Sequence, residues 1–307
     1  VAVTMYAASG ITAGTCLHTL RKEENTAEKL PTMAVMSALV FAGQMINYTI
    51  PGTGSSGHLC GGMLLSAVLG PQAGFLSMVV ILAIQCLLFA DGGLLALGAN
   101  IWNMGFYGCF VGYYLIYRPL LRSRRGKTPW KLALASILGW VVSLQLGAFS
   151  VVLETSLSGI TELPFGAFLA LMQPIHLAIG LVEGLITAAV LLFVYQTRPE
   201  LLQGAAGTGA KNRCSRKAAL AILAAAALVI GGGLSLLASS SPDGLEWSLF
   251  PVAGYQLAGL PMRLCFQKLR MVLPLVCAVG LLNPLFDRQI VVQVGTLAVS
   301  GGVLSML

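Results

Sequence analysis

From residue 32 to residue 90 this chain carries no formally charged side chain, and the same holds for 92–117, 132–153, 218–242 and 271–286. A helix crossing a bilayer needs roughly 20 predominantly apolar residues. Every one of these windows except the last is long enough for at least one crossing. Charged residues make up only 9% of the 307, against about 25% in an average soluble domain. The windows therefore read as membrane spans, and the fold class expected is an all-α integral membrane protein.

The charges that remain order the topology. Lys and Arg outnumber Asp and Glu by 18 to 11, and they gather at Arg21 and Lys22, at 118–131 and at 198–217, between apolar runs. Such short clusters mark cytoplasmic segments and lack the single basic face of a nucleic-acid binder. Spans are expected at 2–20, 31–50, 59–69, 71–90, 94–117, 132–154 and 165–195, with a basic linker at 199–217. The run 59–69 is too short to cross unless protein shields its ends. A second, Ala/Leu-rich module begins at 218 and leads into the turn-rich SSSPDGLEWS at 239–248, so two or three further spans are expected beyond the first seven. The seven cysteines are spread singly, without a CxxC pair, and most read as small packing residues. His18 reads as a polar helix end. Beginning at Val1 and stopping at Leu307 inside an apolar run, the chain reads as a piece of a longer protein.

Three polar clusters interrupt the apolar pattern. NYTIPGTGSSGHLCGG at 47–62 surrounds one histidine, His58, with five glycines, among them Gly54 and Gly57, and with Thr53, Ser55 and Ser56. Glycines permit tight turns and close backbone approach, so this loop can aim His58 inward, and imidazole is a natural ligand for nickel, cobalt, copper and zinc. A helix-connecting turn with a capping histidine is the competing reading. The second cluster, FADGGLLALGANIWNMGF at 89–106, holds Asp91 at a span end, as an N-cap or less readily as a ligand. Asn100 and Asn103 follow, one turn apart on a shared face that can hold a partner loop by hydrogen bonds. In the third, PFGAFLALMQPIHLAIGLVEGLITAA, His176 and Glu183 lie at membrane depth, about 10.5 Å apart along one helix. They cannot both ligate one ion from that helix, and interhelical hydrogen bonding or coupling is the expected role. Walker A, GxSxG and HExxH motifs and paired catalytic carboxylates are all missing, so any ATP hydrolysis must come from another chain.

The stretches TIPGTGSSGHLCGG, FADGGLLALGANIWNMGF, ELPF at 162–165 and PIHLAIGLVEGLITA resemble the signature segments of the CbiM/NikM family over residues 1–198. These are substrate-specific components of energy-coupling-factor cobalt and nickel transporters. SPDGLEWS at 241–248 is similar to the accessory N component, giving an N-like module at 218–250, and 251–307 looks like part of the transmembrane coupling Q component. The resemblance implies capture of Co²⁺ or Ni²⁺ at the outer face of a bacterial or archaeal cell membrane, with no organic cofactor. It implies partners as well, namely a Q-type coupling subunit and cytoplasmic O-type ATPase subunits. It further implies nitrogen ligands: an N-terminal amine, the backbone nitrogen and side chain of a histidine at position two, and the glycine-loop histidine. Only the last has a match here, at His58, since the chain begins Val-Ala. A non-energised channel or permease is the alternative, and would need a continuous polar path through the membrane.

The topology is open to cysteine-accessibility labelling. Ser55→Cys and Asp243→Cys should react from outside intact cells, and Ser123→Cys and Ala210→Cys only after permeabilisation; labelling at 123 from outside would overturn the seven-span order.

Overall fold

The structure is a computed structural model that describes residues 1–23, 26–45, 48–50, 55–89, 92–122, 128–159, 164–203, 216–232, 290–294 and 297–300. Asp91 and Gly54 lie outside the described residues, as do Glu162 and Leu163 of the ELPF segment, most of the basic linker and the PDGLEWS segment. Seven helical segments occupy the seven expected spans. They are α1 (Ala2–Arg21), α2 (Thr26–Gln44), α3 (Gly62–Leu69), α4 (Pro71–Leu88), a composite helix, α7 (Pro129–Ser158) and α8 (Phe165–Thr197). The composite helix begins with a 3₁₀ turn at Leu94–Ala96, continues as α5 (Leu97–Asn100) into a π-helical segment, Ile101–Tyr117, and closes with α6 (Arg118–Leu121).

Four of these are long and apolar enough to cross a membrane by length and composition: Pro71–Leu88, Leu94–Leu121, Pro129–Ser158 and Phe165–Thr197. α1 and α2, at 20 and 19 residues, reach about 30 Å at 1.5 Å per residue and are less apolar. α9 (Arg216–Gly232) supplies the first helix of the second module and packs on α2. In the terminal apolar stretch, expected to add spans, the described residues form an antiparallel hairpin, β3 (Ile290–Val294) with β4 (Leu297–Ser300). Its β-branched Ile290, Val291, Val292 and Val294 suit a strand as readily as an apolar helix.

Two spans depart most from the sequence expectation. The span placed at 31–50 begins earlier, at Thr26, and runs through Pro31. It also ends earlier, because Tyr48–Ile50 (β1) turns back to pair with Ser55–Gly57 (β2) in the register Tyr48↔Gly57. Apolar content alone does not separate a short strand from the end of a helix. The short span at 59–69 shrinks to the eight residues of α3, and all eight are buried. Protein, rather than lipid, surrounds it.

Close contacts hold this bundle together. With no water to expel, helices in lipid associate through small residues and interhelical hydrogen bonds. On α8, a Cβ added at Gly184 would sit 2.5 Å from Ile137 Cα of α7. The buried Trp140 Nε1 donates to Thr187 Oγ1 at 2.8 Å, and Gln145 and Gln173 each donate to the other's backbone carbonyl, at 2.9 and 3.2 Å. α1 is tied to the start of the composite helix, where Ser9 Oγ donates to the Gly98 carbonyl at 2.7 Å and the Tyr6 hydroxyl to the Leu94 carbonyl. Gly184→Val should force α7 and α8 apart at a cost of about 1–3 kcal/mol, read as a lowered Tm in detergent; an unchanged Tm would mean that this contact does not limit the packing.

Candidate functional site

α3 is the element from which the site is built. An eight-residue helix enclosed by protein exposes backbone N–H groups at one end and carbonyls at the other, and both sets must find partners. At its start Gly61 adopts φ 79°, a left-handed conformation natural to glycine. There the N–H groups of Cys60 and Gly61 donate to Glu183 Oε1 at 2.7 and 2.6 Å. At its end the Gln203 N–H donates to the Ala67 carbonyl at 2.8 Å and Gln203 Nε2 to the Val68 carbonyl at 3.1 Å. The carboxylate is 0% exposed and sits at the positive end of the α3 dipole.

The carbonyl of Cys60 is held from the opposite side. Gln44 Nε2, at the end of α2, donates to it at 2.7 Å, and Gln85 Nε2 of α4 donates to Gln44 Oε1 at 2.7 Å. Both glutamines are 4% exposed. Three helices thus converge on one peptide unit two residues after His58.

His58 borders a cavity of about 230 Å³. Across it stand Asn100 and Asn103 from the composite helix, Val151 and Gly147 from α7, and Met172 and His176 from α8, with Cys60, Gln85 and Met104 also in the wall. The His58 ring is half-buried, and its Nδ1 lies 3.0 Å from the Leu59 carbonyl. When that nitrogen carries the proton and donates to Leu59, Nε2 is the metal-competent nitrogen, the arrangement common to metal-binding imidazoles. His176 Nδ1 is similarly placed 2.9 Å from the Met172 carbonyl one turn back. The donor set of the wall, two imidazoles, two thioethers, three amides and a thiol, suits a borderline-soft divalent ion more than calcium or magnesium. Among the described residues no group of three or more His, Cys, Asp or Glu side chains is gathered closely enough to hold a metal by itself.

Of the residues singled out in the sequence, His58, Asn100, Asn103 and His176 come together in this one cavity. Asn103 holds α7 rather than a loop, since its Nδ2 donates to Glu154 Oε2 at 3.0 Å. Asn100 sits over Gly92, where a Cβ would fall 2.3 Å from Asn100 Nδ2, and Gly92 has φ 77°. Gly57, Ser55 and Ser56 form β2, directly before His58. Glu183 stands apart from the cavity wall, beneath the loop that carries His58. His18 is exposed in the last turn of α1. Sequence reasoning did not pick out Gln44, Gln85, Glu154 or Cys60. Their only signal is polarity, or a thiol, within or at the end of predominantly apolar windows.

Residues 1–201 match the family model described as the cobalt uptake substrate-specific transmembrane region, CbiM. The chain belongs to the CbiM family. Residues 217–270 match the PDGLE domain family, so this CbiM-type chain carries a PDGLE module behind its membrane region. It is 42% identical over 201 residues to an Archaeoglobus fulgidus protein named as a fused nickel transport protein, NikMN, with 64% of this chain and 62% of that one aligned. It is 35% identical over 192 residues to the cobalt transport protein CbiM of Sorangium cellulosum, covering 61% of this chain and 82% of that one. A crystal structure titled as a truncated transition metal transporter superposes with a TM-score of 0.54 at 33% identity, over 63% of this chain and 92% of that one. The chain thus spans less than two thirds of the NikMN relative.

Proposed function

We propose that this CbiM-type chain is the substrate-binding membrane subunit of an ATP-driven cobalt or nickel uptake system, capturing the divalent ion in the His58 cavity from the outer face. The observation that carries the reading is the convergence of His58, His176, Asn100 and Asn103, from three separate segments, on one cavity of about 230 Å³. A cavity of that size fits an ion with a few ligands and is small for an organic substrate, since such pockets run to about 300–1,000 Å³. The names of the relatives and the fit to a transition metal transporter fold support the same substrate class.

Energy comes from elsewhere, since the sequence contains no nucleotide-binding motif. A Q-type membrane coupling subunit and O-type ATPase subunits would reorient the chain, and the PDGLE module at 217–270 is the fused N component. His58 is the metal ligand from the glycine loop, and Ser55, Ser56, Gly57, Gly54, Asp91, Asn100 and Asn103 support that loop and its outer wall. His176 and Glu183 serve packing or coupling. A permease working without ATP would need a continuous polar path through the bundle, whereas His58, Asn100, Asn103 and His176 collect around one cavity.

Nickel titration calorimetry on the full-length protein in nanodiscs should give about one ion per chain. His58→Ala should lower affinity by at least about tenfold, within the 10–100-fold range for disrupted metal sites. His176→Ala should retain the stoichiometry while lowering uptake in cells. Undiminished binding by His58→Ala would place the ion elsewhere, and loss of bound metal in a folded His176→Ala protein would make His176 a ligand.

A further inference from the structure

We propose that Glu183 and the Gln44–Gln85 pair are positioning residues for metal capture, a two-sided clamp on the Cys60 peptide that fixes where His58 presents its imidazole. The proposal rests on the His58 capture reading and adds the groups that make the site rigid.

The geometry has four parts. On one side, Glu183 Oε1 accepts the N–H groups of both Cys60 and Gly61, at 2.7 and 2.6 Å. On the other, Gln44 Nε2 donates to the Cys60 carbonyl at 2.7 Å, and Gln85 fixes Gln44 by donating to its Oε1 at 2.7 Å. All three side chains are at least 96% buried, with exposures of 0%, 4% and 4%. They come from α8, α2 and α4. The Cys60 peptide therefore cannot shift without breaking a buried hydrogen bond on one face or the other, and such bonds are costly to leave unmade.

His58 is linked to this anchored peptide through Leu59, whose carbonyl lies 3.0 Å from His58 Nδ1. On its other side is the hairpin of β1 and β2, whose register ends with Gly57 opposite Tyr48. The loop would otherwise be free to slide, since glycines at 57, 61 and 62 offer little conformational resistance. A ring whose donor wanders binds an ion less tightly than one held in place.

A carboxylate is suited to this task in a way that an apolar residue is not. One oxygen accepts two N–H groups at once, and it does so at the start of α3, where the unpaired N–H groups of the helix need an acceptor. A glutamine at 183 retains one carbonyl oxygen and can still accept both N–H groups. A leucine of similar reach accepts neither. The clamp thus separates an effect of hydrogen bonding from an effect of charge.

The test uses full-length protein in nanodiscs, Ni²⁺ as the probe, calorimetric affinity, and the ligand-field absorption of the bound ion as a report on its geometry. Glu183→Gln should keep the wild-type spectrum and bind within about threefold of wild type. Glu183→Leu and Gln44→Met should each bind about 10–100-fold more weakly, the range seen when groups orienting a ligand are lost, and with a shifted or broadened spectrum. If Glu183→Leu does not fold, Gln44→Met, which conserves volume and removes the contact with the Cys60 carbonyl together with the acceptor for Gln85, decides alone. Wild-type affinity and spectrum in a folded Gln44→Met protein, or in a folded Glu183→Leu protein, would overturn the clamp. His58→Ala run beside them separates the two claims. Weakened binding there with intact binding in the clamp variants sinks only the clamp, whereas equal binding by wild type and His58→Ala sinks the capture site on which it depends.

Discussion

A short helix sealed inside a membrane protein has to satisfy both its ends without water, and α3 does so with groups from α8 and the segment just beyond it. A carboxyl group taken out of water loses its hydration and must find hydrogen bonds inside the protein. Glu183 meets no cation among its described partners. Its compensation is the pair of Cys60 and Gly61 N–H groups, both donating to Oε1, together with the α3 dipole, while Oε2 has no hydrogen-bond partner among the described residues. The exchange is tolerable only if the loop and helix sit in one place. The position of α3, the turn at Gly61 and the placement of His58 all follow from that requirement.

The cavity inherits its shape from the same arrangement. With α3 held, Gly62 lies where an added Cβ would come 3.2 Å from the Met104 carbonyl and 3.3 Å from Cys109 Sγ. The composite helix is thereby drawn against the His58 loop. Asn103 then reaches Glu154 on α7, and α7 brings α8 and His176 to the opposite wall through the Gly184 and Trp140 contacts. A long π-helical stretch is rare, and here it spans the residues from Ile101 to Tyr117, with Asn103 and Met104 in the cavity wall.

Much of this was legible in the sequence, and the reasons are specific. Charge-free windows mark the long helices well, and 71–90 against the observed Pro71–Leu88 differs only at one end. The charged opening turn of α2 hid its start, and the charge-free 45–50 hid the strand Tyr48–Ile50, because the absence of charge does not distinguish a helix end from a strand. His58, Asn100, Asn103 and His176 stood out because polar groups at membrane depth are costly and seldom idle. What could not be read was pairing. Gln44 with Cys60, Gln85 with Gln44, and Glu183 with Cys60 join positions 16, 41 and 123 residues apart, and a single sequence holds no signal for which distant residues meet.

The most direct measurement is to locate the ion: crystals of the full-length protein grown with nickel, with anomalous diffraction collected at the nickel edge. The expected result is one strong peak in the cavity, at bonding distance from an imidazole nitrogen of His58, with Glu183 still accepting from Cys60 and Gly61. A dominant peak outside the cavity, with His58 uncoordinated, would contradict a capture site built on α3 and its loop.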